Sequence, residues 1–133
     1  MASIERIRPH GLVSSPAFSH VAIVPPGATT IYVGGQNAVD AKGALVGEDD
    51  VAVQSVRALE NARIALAAAG ATFGDVVQWT VLFVDGVDLA AAYGAIASEL
   101  ASDEPALVTG ARVAALGVPG ALIEISAVAA VLQ

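Results

Sequence analysis

Apolar and polar positions are grouped along the chain in blocks that predict strands and helices in turn. Short β-branched or aromatic runs that end at glycine or proline are typical of strands, and longer segments with apolar residues three or four apart are typical of helices. The predicted strands are residues 18–24, 30–36, 76–84, 107–116 and 122–131, and the predicted helices are residues 50–69 and 87–101. This order predicts an α+β fold in which two helices pack on one face of one mixed β-sheet.

The helix over residues 50–69 has the clearest boundary signals. Asp49 or Asp50 can cap its start, where free backbone N–H groups favour an anion, and Gly70 lies where a left-handed residue ends a helix. We expect its buried apolar stripe to consist of Val53, Val56, Leu59 and Leu66.

The composition indicates an assembly of several subunits. Of the 133 residues, 56% are apolar and 14% are charged, and the mean hydropathy is +0.70. A typical soluble domain has about 25% charged residues. No apolar run approaches the ~20 residues that span a membrane. We therefore expect one domain over residues 1–133, no membrane partner, and apolar surface buried between identical subunits.

Charge and residue counts exclude several classes of function. Six basic and thirteen acidic residues give a net charge of −7, which disfavours binding to a nucleic-acid backbone. The chain has no cysteine, which excludes disulfides, thiolate zinc sites and cysteine nucleophiles. His10 and His20 lack helical metal-ligand spacing, so no metal site is expected. The N-terminal residues show no signal-peptide core, and we expect a cytoplasmic protein.

The last predicted strand carries one ionisable residue, Glu124, among small and apolar neighbours. Strand alternation places Glu124 on the opposite face from Ile123 and Ile125, which are predicted core residues. The pattern alone permits two interpretations. Glu124 is either a solvated residue on a half-exposed face or a carboxylate in a cleft, where it can transfer protons.

Two further features also have both a structural and a functional interpretation. Gly34 and Gly35, at the end of the second predicted strand, favour either a β-bulge or a close backbone approach to a ligand or another chain. Arg112 shares a strand face with Val108 and Gly110. Its guanidinium can bind a substrate carboxylate or form a salt bridge to a neighbouring subunit.

The aromatic and acidic residues around the second predicted helix have structural interpretations. Trp79 and Tyr93 are expected to be core or interface aromatics, and Asp85 and Asp88 are expected to cap a helix start. No serine–histidine–acid set follows from the spacing.

Several longer motifs of the chain occur together in one known family. They are "YVGGQ", "QSVRALEN", "AAAGATFGDVVQWTVLFVDGVDLAAAY", "EPALVT" and "ALIEISAVA". With these motifs, residues 14–131 resemble the RidA/YjgF family, the reactive-intermediate deaminases. The resemblance implies a chorismate-mutase-like α+β fold and a homotrimer with clefts between subunits. It also implies hydrolysis of enamine or imine products of pyridoxal-phosphate enzymes, which releases ammonia and a keto acid without a metal or organic cofactor.

The resemblance assigns roles to some residues of this chain and leaves other roles without a matching residue. Glu124 matches the family glutamate, which positions or activates the attacking water. Gly35 matches the glycine of the family's Ser-Gly-Gln motif, and Gly34 stands in place of its serine. Phe18 replaces a family tyrosine, and Ala90 replaces a family asparagine.

The arginine that follows Pro-Ala in deaminating members is missing. Leu107 and Val108 follow Pro105-Ala106 here. The family guanidinium holds the substrate carboxylate, and loss of such a buried charged hydrogen bond costs about 2–5 kcal/mol. Arg112 lies roughly 13 Å further along the strand, so we expect no replacement in place, although an arginine from a neighbouring subunit stays possible.

We therefore expect an intersubunit cleft that accepts a neutral or weakly polar small molecule, with Glu124 as the catalytic acid/base. The expected substrate-binding residues are Phe18, Gly34, Gly35, Val108, Thr109, Gly110 and Arg112. The leading hypothesis is a hydrolase of an imine, enamine or related reactive metabolite. The alternatives are a non-catalytic trimer that binds a metabolite or partner protein and, less compatible with the net charge of −7, an endoribonuclease or translation inhibitor.

Overall fold

The computed structural model describes residues 3–132, in which the regular elements follow the predicted order with short additions. The strands are β1 Glu5–Ile7, β2 Val21–Ile23, β3 Thr29–Gln36, β4 Val76–Val84, β5 Leu107–Val113 and β6 Ile123–Val131. The helices are α1 Val51–Ala68 and α2 Leu89–Leu100, and a 3-10 turn at Phe73–Asp75 precedes β4. Both predicted helices and the predicted strands that correspond to β3, β4 and β6 are confirmed to within two residues at each end.

Four strands form the main sheet in the order β3-β6-β4-β5. β6 is antiparallel to β3 and β4, whereas β5 is parallel to β4 because α2 carries the chain back across the sheet. The predicted α+β class and mixed sheet are confirmed. β1 and β2 pair with each other in a separate two-stranded sheet, so the first predicted strand is shorter than expected and lies outside the main sheet.

Alternation in β4 and β6 presents an apolar face of the main sheet to the helices. The buried residues of this face include Trp79, Val81, Phe83, Ile123, Ile125, Ala127 and Ala129. Leu59 and Leu66 of α1 and Ile96 of α2 close the core from the other side. Each large apolar side chain that is buried contributes about 1.5–3 kcal/mol. The apolar face therefore holds the helices, and within residues 3–132 no helix covers the opposite face of the sheet.

The buried face of α1 differs from the predicted stripe. The two leucines of that stripe are buried, but Val53 and Val56 are 44% and 52% exposed, so this part of the prediction is wrong. Gln54 and Ser55 lie on the buried face instead. Polar side chains are tolerated there because their hydrogen bonds are made inside the protein. The Ser55 hydroxyl, for example, donates to a carbonyl one turn earlier at 2.7 Å.

The starts of both helices and the end of α1 have the predicted residue types. Of the two candidates at α1, Asp50 is the cap, because its Oδ1 accepts a hydrogen bond from the Val53 N–H at 3.0 Å. Gly70 follows α1 with a φ of 77°, in the left-handed region that favours glycine. Asp88 caps α2 in the same way as Asp50 caps α1. Within residues 3–132 neither helix is both long and apolar enough to cross a membrane.

Candidate active site

Glu124 lies near the start of β6, on the face of the sheet that the helices leave uncovered. Its register partner on β4 is Leu82, and the next pair on the same face is Thr80 with Ser126. The side chain is half-buried. Glu124 is therefore the carboxylate of a mixed polar and apolar sheet face, as alternation predicts.

The Gly34–Gly35 pair forms a bulge in β3 beside this carboxylate. Val33 pairs with Ala127 and Gln36 with Ile125, so β3 contains one more residue than β6 over this stretch. The predicted bulge is confirmed.

Close backbone approach also occurs, and it occurs at Gly35. A Cβ at Gly35 would lie 2.6 Å from the Glu124 carboxyl carbon and 2.6 Å from its Oε2. The same atom at Gly34 would meet nothing within 4 Å. A side chain at position 35 would therefore have to displace the Glu124 carboxylate, whereas one at position 34 would meet no such neighbour.

Asn61 of α1 holds the segment that follows the bulge. Its Nδ2 donates to the carbonyls of Asn37 and Val39, at 2.9 Å each, and its Oδ1 accepts from Arg57 Nε at 3.0 Å. Asn37 is itself buried, and its Nδ2 donates to the Ile123 carbonyl at 3.0 Å. These bonds connect α1, the end of β3 and the start of β6, one residue before the carboxylate.

Gln54 holds the chain that enters β6 from the other direction. This fully buried side chain donates from Nε2 to the carbonyls of Gly47 and Gly120, at 3.1 Å each. Its Oε1 accepts from the Leu122 N–H at 2.8 Å. Both Nε2 hydrogens and the Oε1 atom of the Gln54 amide thus take part in hydrogen bonds, as expected for a buried polar side chain. Gln54 and Asn61 are thus positioning residues of the helix motif "QSVRALEN", a role that sequence reasoning missed. The sequence signal that could have revealed this role is the placement of Gln54 and Asn61 at helical spacing.

A cavity of about 770 Å³ lies on the other side of the sheet, between α2 and β5. Four of the predicted substrate-binding residues line it, and they are Phe18, Val108, Gly110 and Arg112. The three residues from β5 pair with Trp79, Val81 and Phe83, which face the helices. These four residues therefore lie away from Glu124 within one subunit.

Thr109 does not belong to this cavity group. It pairs with Thr80, on the same sheet face as Glu124, and its Oγ1 accepts a hydrogen bond from Gln78 Nε2 at 3.0 Å. The expected common cleft is thus divided within one chain. Glu124, Gly34, Gly35 and Thr109 lie on or beside the uncovered face, and the other residues line the cavity. The physical reason is alternation, because consecutive residues of a strand point to opposite faces.

Tyr93 is a cavity residue that sequence reasoning interpreted only as a core or interface aromatic. Its ring packs edge-on against Phe83, with centroids 5.2 Å apart. A Cβ at Gly110 would lie 2.8 Å from the Tyr93 hydroxyl oxygen, so the hydroxyl lies directly over this glycine. Burial raises the pKa of Tyr93 above its ordinary value of 10.0. The hydroxyl is therefore protonated at neutral pH and can donate a hydrogen bond.

Arg112 contributes the one charged side chain of the cavity lining. Its guanidinium donates to the Val87 carbonyl over a long 3.4 Å. The ion pairs within residues 3–132 both belong to Arg63, which contacts Glu60 and Glu99. The Arg112 guanidinium thus has no carboxylate partner in the described part of the subunit. Its predicted salt bridge to a neighbouring subunit stays a prediction.

The residues that the structure describes contain no group of three or more histidine, aspartate or glutamate side chains that could hold a metal ion. On the uncovered face, the Glu124 carboxylate lies beside the Gly34–Gly35 bulge. Such a group can accept a proton from water and return it.

Comparison with known proteins identifies one family. The family model described as Endoribonuclease L-PSP matches residues 10–131. Among solved structures, the chain is similar to YyfB, a Rid-family protein of unknown function from Yersinia pestis. The two are 32% identical with a TM-score of 0.84, over 96% of this chain and 98% of that chain.

Two further solved structures agree. The YjgF gene product of E. coli is 31% identical with a TM-score of 0.65, over 80% of this chain and 83% of that chain. A YjgF-family protein from Mycobacterium tuberculosis is 27% identical with a TM-score of 0.65, over 97% of this chain and 100% of that chain. No curated protein matches the sequence significantly.

Proposed function

The chain belongs to the Endoribonuclease L-PSP family, the RidA/YjgF proteins, and on that premise we propose that it hydrolyses a small imine or enamine through Glu124. The contact between the Glu124 carboxyl group and the Gly35 backbone carries the proposal. It places the family glutamate beside the family glycine, although the two are far apart in sequence.

The proposed reaction adds water across a carbon–nitrogen double bond. Glu124 accepts a proton from water as the water oxygen bonds to the imine carbon, and it passes this proton to the imine nitrogen to give a carbinolamine. Glu124 then accepts the hydroxyl proton of the carbinolamine and delivers it to the nitrogen as the carbon–nitrogen bond breaks, so that ammonia and a carbonyl compound are released and the carboxylate is regenerated. The bulge shifts the register of β3 against β6 beside Glu124, and in the proposed mechanism a backbone N–H group of the bulge stabilises the developing negative charge.

The proposed site lies between subunits of a homotrimer. The sheet face that carries Glu124 has no helix over it, and the chain has few charged residues for its size. A neighbouring subunit that covers this face would exclude water and supply the second wall of the cleft. The substrate class follows from Leu107 and Val108, which stand where deaminating relatives have the arginine that holds a carboxylate. We propose a neutral imine rather than an α-imino acid.

The test compares the consumption of a neutral imine and of 2-iminopropanoate by the wild-type protein and by Glu124→Gln. We expect the neutral imine to be consumed faster than in buffer, and the substitution to lower this rate by about 100-fold or more, the usual contribution of a general acid/base. Sedimentation velocity should give the same oligomer for both proteins. Glu48→Gln is the matched control, because Glu48 is an exposed carboxylate outside the site.

A non-catalytic trimer that binds a small molecule is the second candidate, and the missing arginine and tyrosine favour it. Phe18 and Leu107 supply no polar group for an imino acid. If neither imine disappears faster than in buffer, hydrolysis of both probes is excluded and this candidate takes precedence. The endoribonuclease in the family's description has less support here, because a net charge of −7 opposes RNA binding.

A further inference from the structure

The cavity between α2 and β5 has the size and lining of a small-molecule site. Its volume is about 770 Å³, within the roughly 300–1,000 Å³ of ordinary ligand pockets. Aromatic and aliphatic side chains from both elements, from β4 and from the segment before β2 form most of its wall, and among them are Phe18, Phe83, Leu89, Leu100 and Val108. The wall is therefore suited to an apolar body.

Small residues on the two walls of the cavity leave this space open. Gly110 projects no side chain into the cavity, and α2 contributes Ala97 at the opposite wall. A side chain at position 110 would have to displace the Tyr93 hydroxyl, which lies 2.8 Å from the site of its Cβ. The space and the position of the hydroxyl thus depend on the same glycine.

Two hydrogen-bond donors interrupt the apolar wall. The Tyr93 hydroxyl takes part in no hydrogen bond with the residues that the structure describes. The Arg112 guanidinium makes one long bond to a carbonyl. Among the residues that the structure describes, no aspartate or glutamate lines the cavity, and the Asp88 carboxylate, one residue before Leu89 of its wall, is engaged in capping α2. The local charge is thus positive in a protein whose net charge is −7.

We propose that this cavity binds an organic monoacid, with its carboxylate on Arg112 and its apolar body against Phe18, Phe83 and Tyr93. The Tyr93 hydroxyl donates to an oxygen of the ligand. A guanidinium binds a carboxylate through two parallel hydrogen bonds, and the apolar wall buries the rest of the ligand. This site lies on the opposite side of the sheet from Glu124 and does not depend on the proposed hydrolysis.

Isothermal titration calorimetry with 4-phenylbutanoate tests the proposal, with 4-phenylbutanamide and butanoate as comparison ligands. We expect saturable binding of 4-phenylbutanoate, with about tenfold weaker binding of the amide, which lacks the charge. Butanoate should also bind more weakly than 4-phenylbutanoate, because it buries less apolar surface. Absence of 4-phenylbutanoate binding at millimolar concentration, or equal affinity for the acid and the amide, would overturn the proposal.

Variants locate the bound acid. Arg112→Met should weaken 4-phenylbutanoate binding by about tenfold, whereas Lys42→Met, which removes an equal charge from an exposed position outside the cavity, should leave it unchanged. Gly110→Leu should abolish binding by filling the cavity. If that variant fails to fold, Ala97→Leu fills it from the helix.

Glu124→Gln separates this proposal from the hydrolase. It should leave the affinity for 4-phenylbutanoate unchanged even if it abolishes imine hydrolysis. Loss of acid binding in Glu124→Gln with retention in Arg112→Met would place the acid on the Glu124 side of the sheet and refute the cavity site.

Discussion

Two regions of the molecule, the surroundings of Glu124 and the cavity side between α2 and β5, are organised by opposite means. Around the strand ends that position Glu124, buried amide side chains of α1 and of the segment after β3 bond to backbone and hold those ends in register. On the cavity side, glycine and alanine leave a space that two donors border. A reacting carboxylate needs exact placement, which directional bonds supply. A binding cavity mainly needs volume, which small residues supply.

The largest expected effect comes from breaking the bonds that hold the chain entering β6, just before Glu124. Gln54→Ala would leave the Gly120 carbonyl and the Leu122 N–H without their partner, whereas the Gly47 carbonyl still accepts from the Asp50 N–H. Because each unpaired buried group costs about 1–3 kcal/mol, we expect a loss of about 2 kcal/mol or more in the free energy of unfolding. Denaturant unfolding measures this loss. Val56→Ala, an exposed position of the same helix, should change stability by no more than about 0.5 kcal/mol, and a comparable loss there would contradict the role assigned to the Gln54 hydrogen bonds.

The contact between glycine and carboxylate can be tested without unfolding the protein. Gly35→Ala should displace the Glu124 carboxyl group, because the new Cβ would lie 2.6 Å from it. We expect kcat/KM for the neutral imine to fall by about 100-fold, a magnitude reached when a reacting group is misplaced by about 1 Å. Gly34→Ala is the control, since a Cβ there meets no atom within 4 Å. Equal activity of the two variants would contradict the assigned role of Gly35.

The cavity side depends on α2, whose start is capped by Asp88. Asp88→Ala removes the acceptor of the Ala91 N–H bond and should cost about 1 kcal/mol of unfolding free energy. Asp85 was also a candidate cap, but the structure assigns this role to Asp88. Asp85→Ala should therefore change stability by less than about 0.5 kcal/mol in the same denaturant titration. A larger loss from Asp85→Ala than from Asp88→Ala would refute the assignment.

The smallest effect is a pH dependence that belongs to the cavity side alone. Because burial raises the Tyr93 pKa, the folded state favours the neutral hydroxyl more than the unfolded state does. Its contribution to stability is complete below the ordinary tyrosine pKa of about 10 and is lost as the pH rises through the higher folded value. Unfolding at pH 8 and at pH 10.5 should therefore show a larger alkaline loss for the wild type than for Tyr93→Phe. An identical loss in both proteins would contradict this.

The sequence was informative where the structure is local and periodic. The two helices, their aspartate caps and the strands β4 and β6 follow from alternation and from capping chemistry. β1 could not be predicted, because three residues that include Glu5 and Arg6 are too few to establish a period. The buried face of α1 was misassigned at Val53 and Val56 because hydrophobicity carries no information on which polar side chains find partners in the interior.

The candidate site was predicted unevenly for a related reason. Glu124 and Gly35 were identified from a family resemblance, but their contact joins residues that sequence spacing cannot relate. Strand alternation, applied strictly to β5, would have placed Thr109 and Val108 on opposite faces of the sheet. Tyr93 was missed because its role depends on Gly110, a residue of another element that it meets only in the folded chain.

The contact at Gly35 also constrains how this family can diverge. The atom that excludes a side chain at position 35 is the end of a flexible carboxylate and not backbone. A homologue that has lost the glutamate can therefore accept a side chain at position 35. A homologue that keeps the glutamate cannot accept even alanine there unless its carboxyl group moves. The two positions should covary across homologues, and a chain with a side chain at position 35 should be one that has abandoned this chemistry.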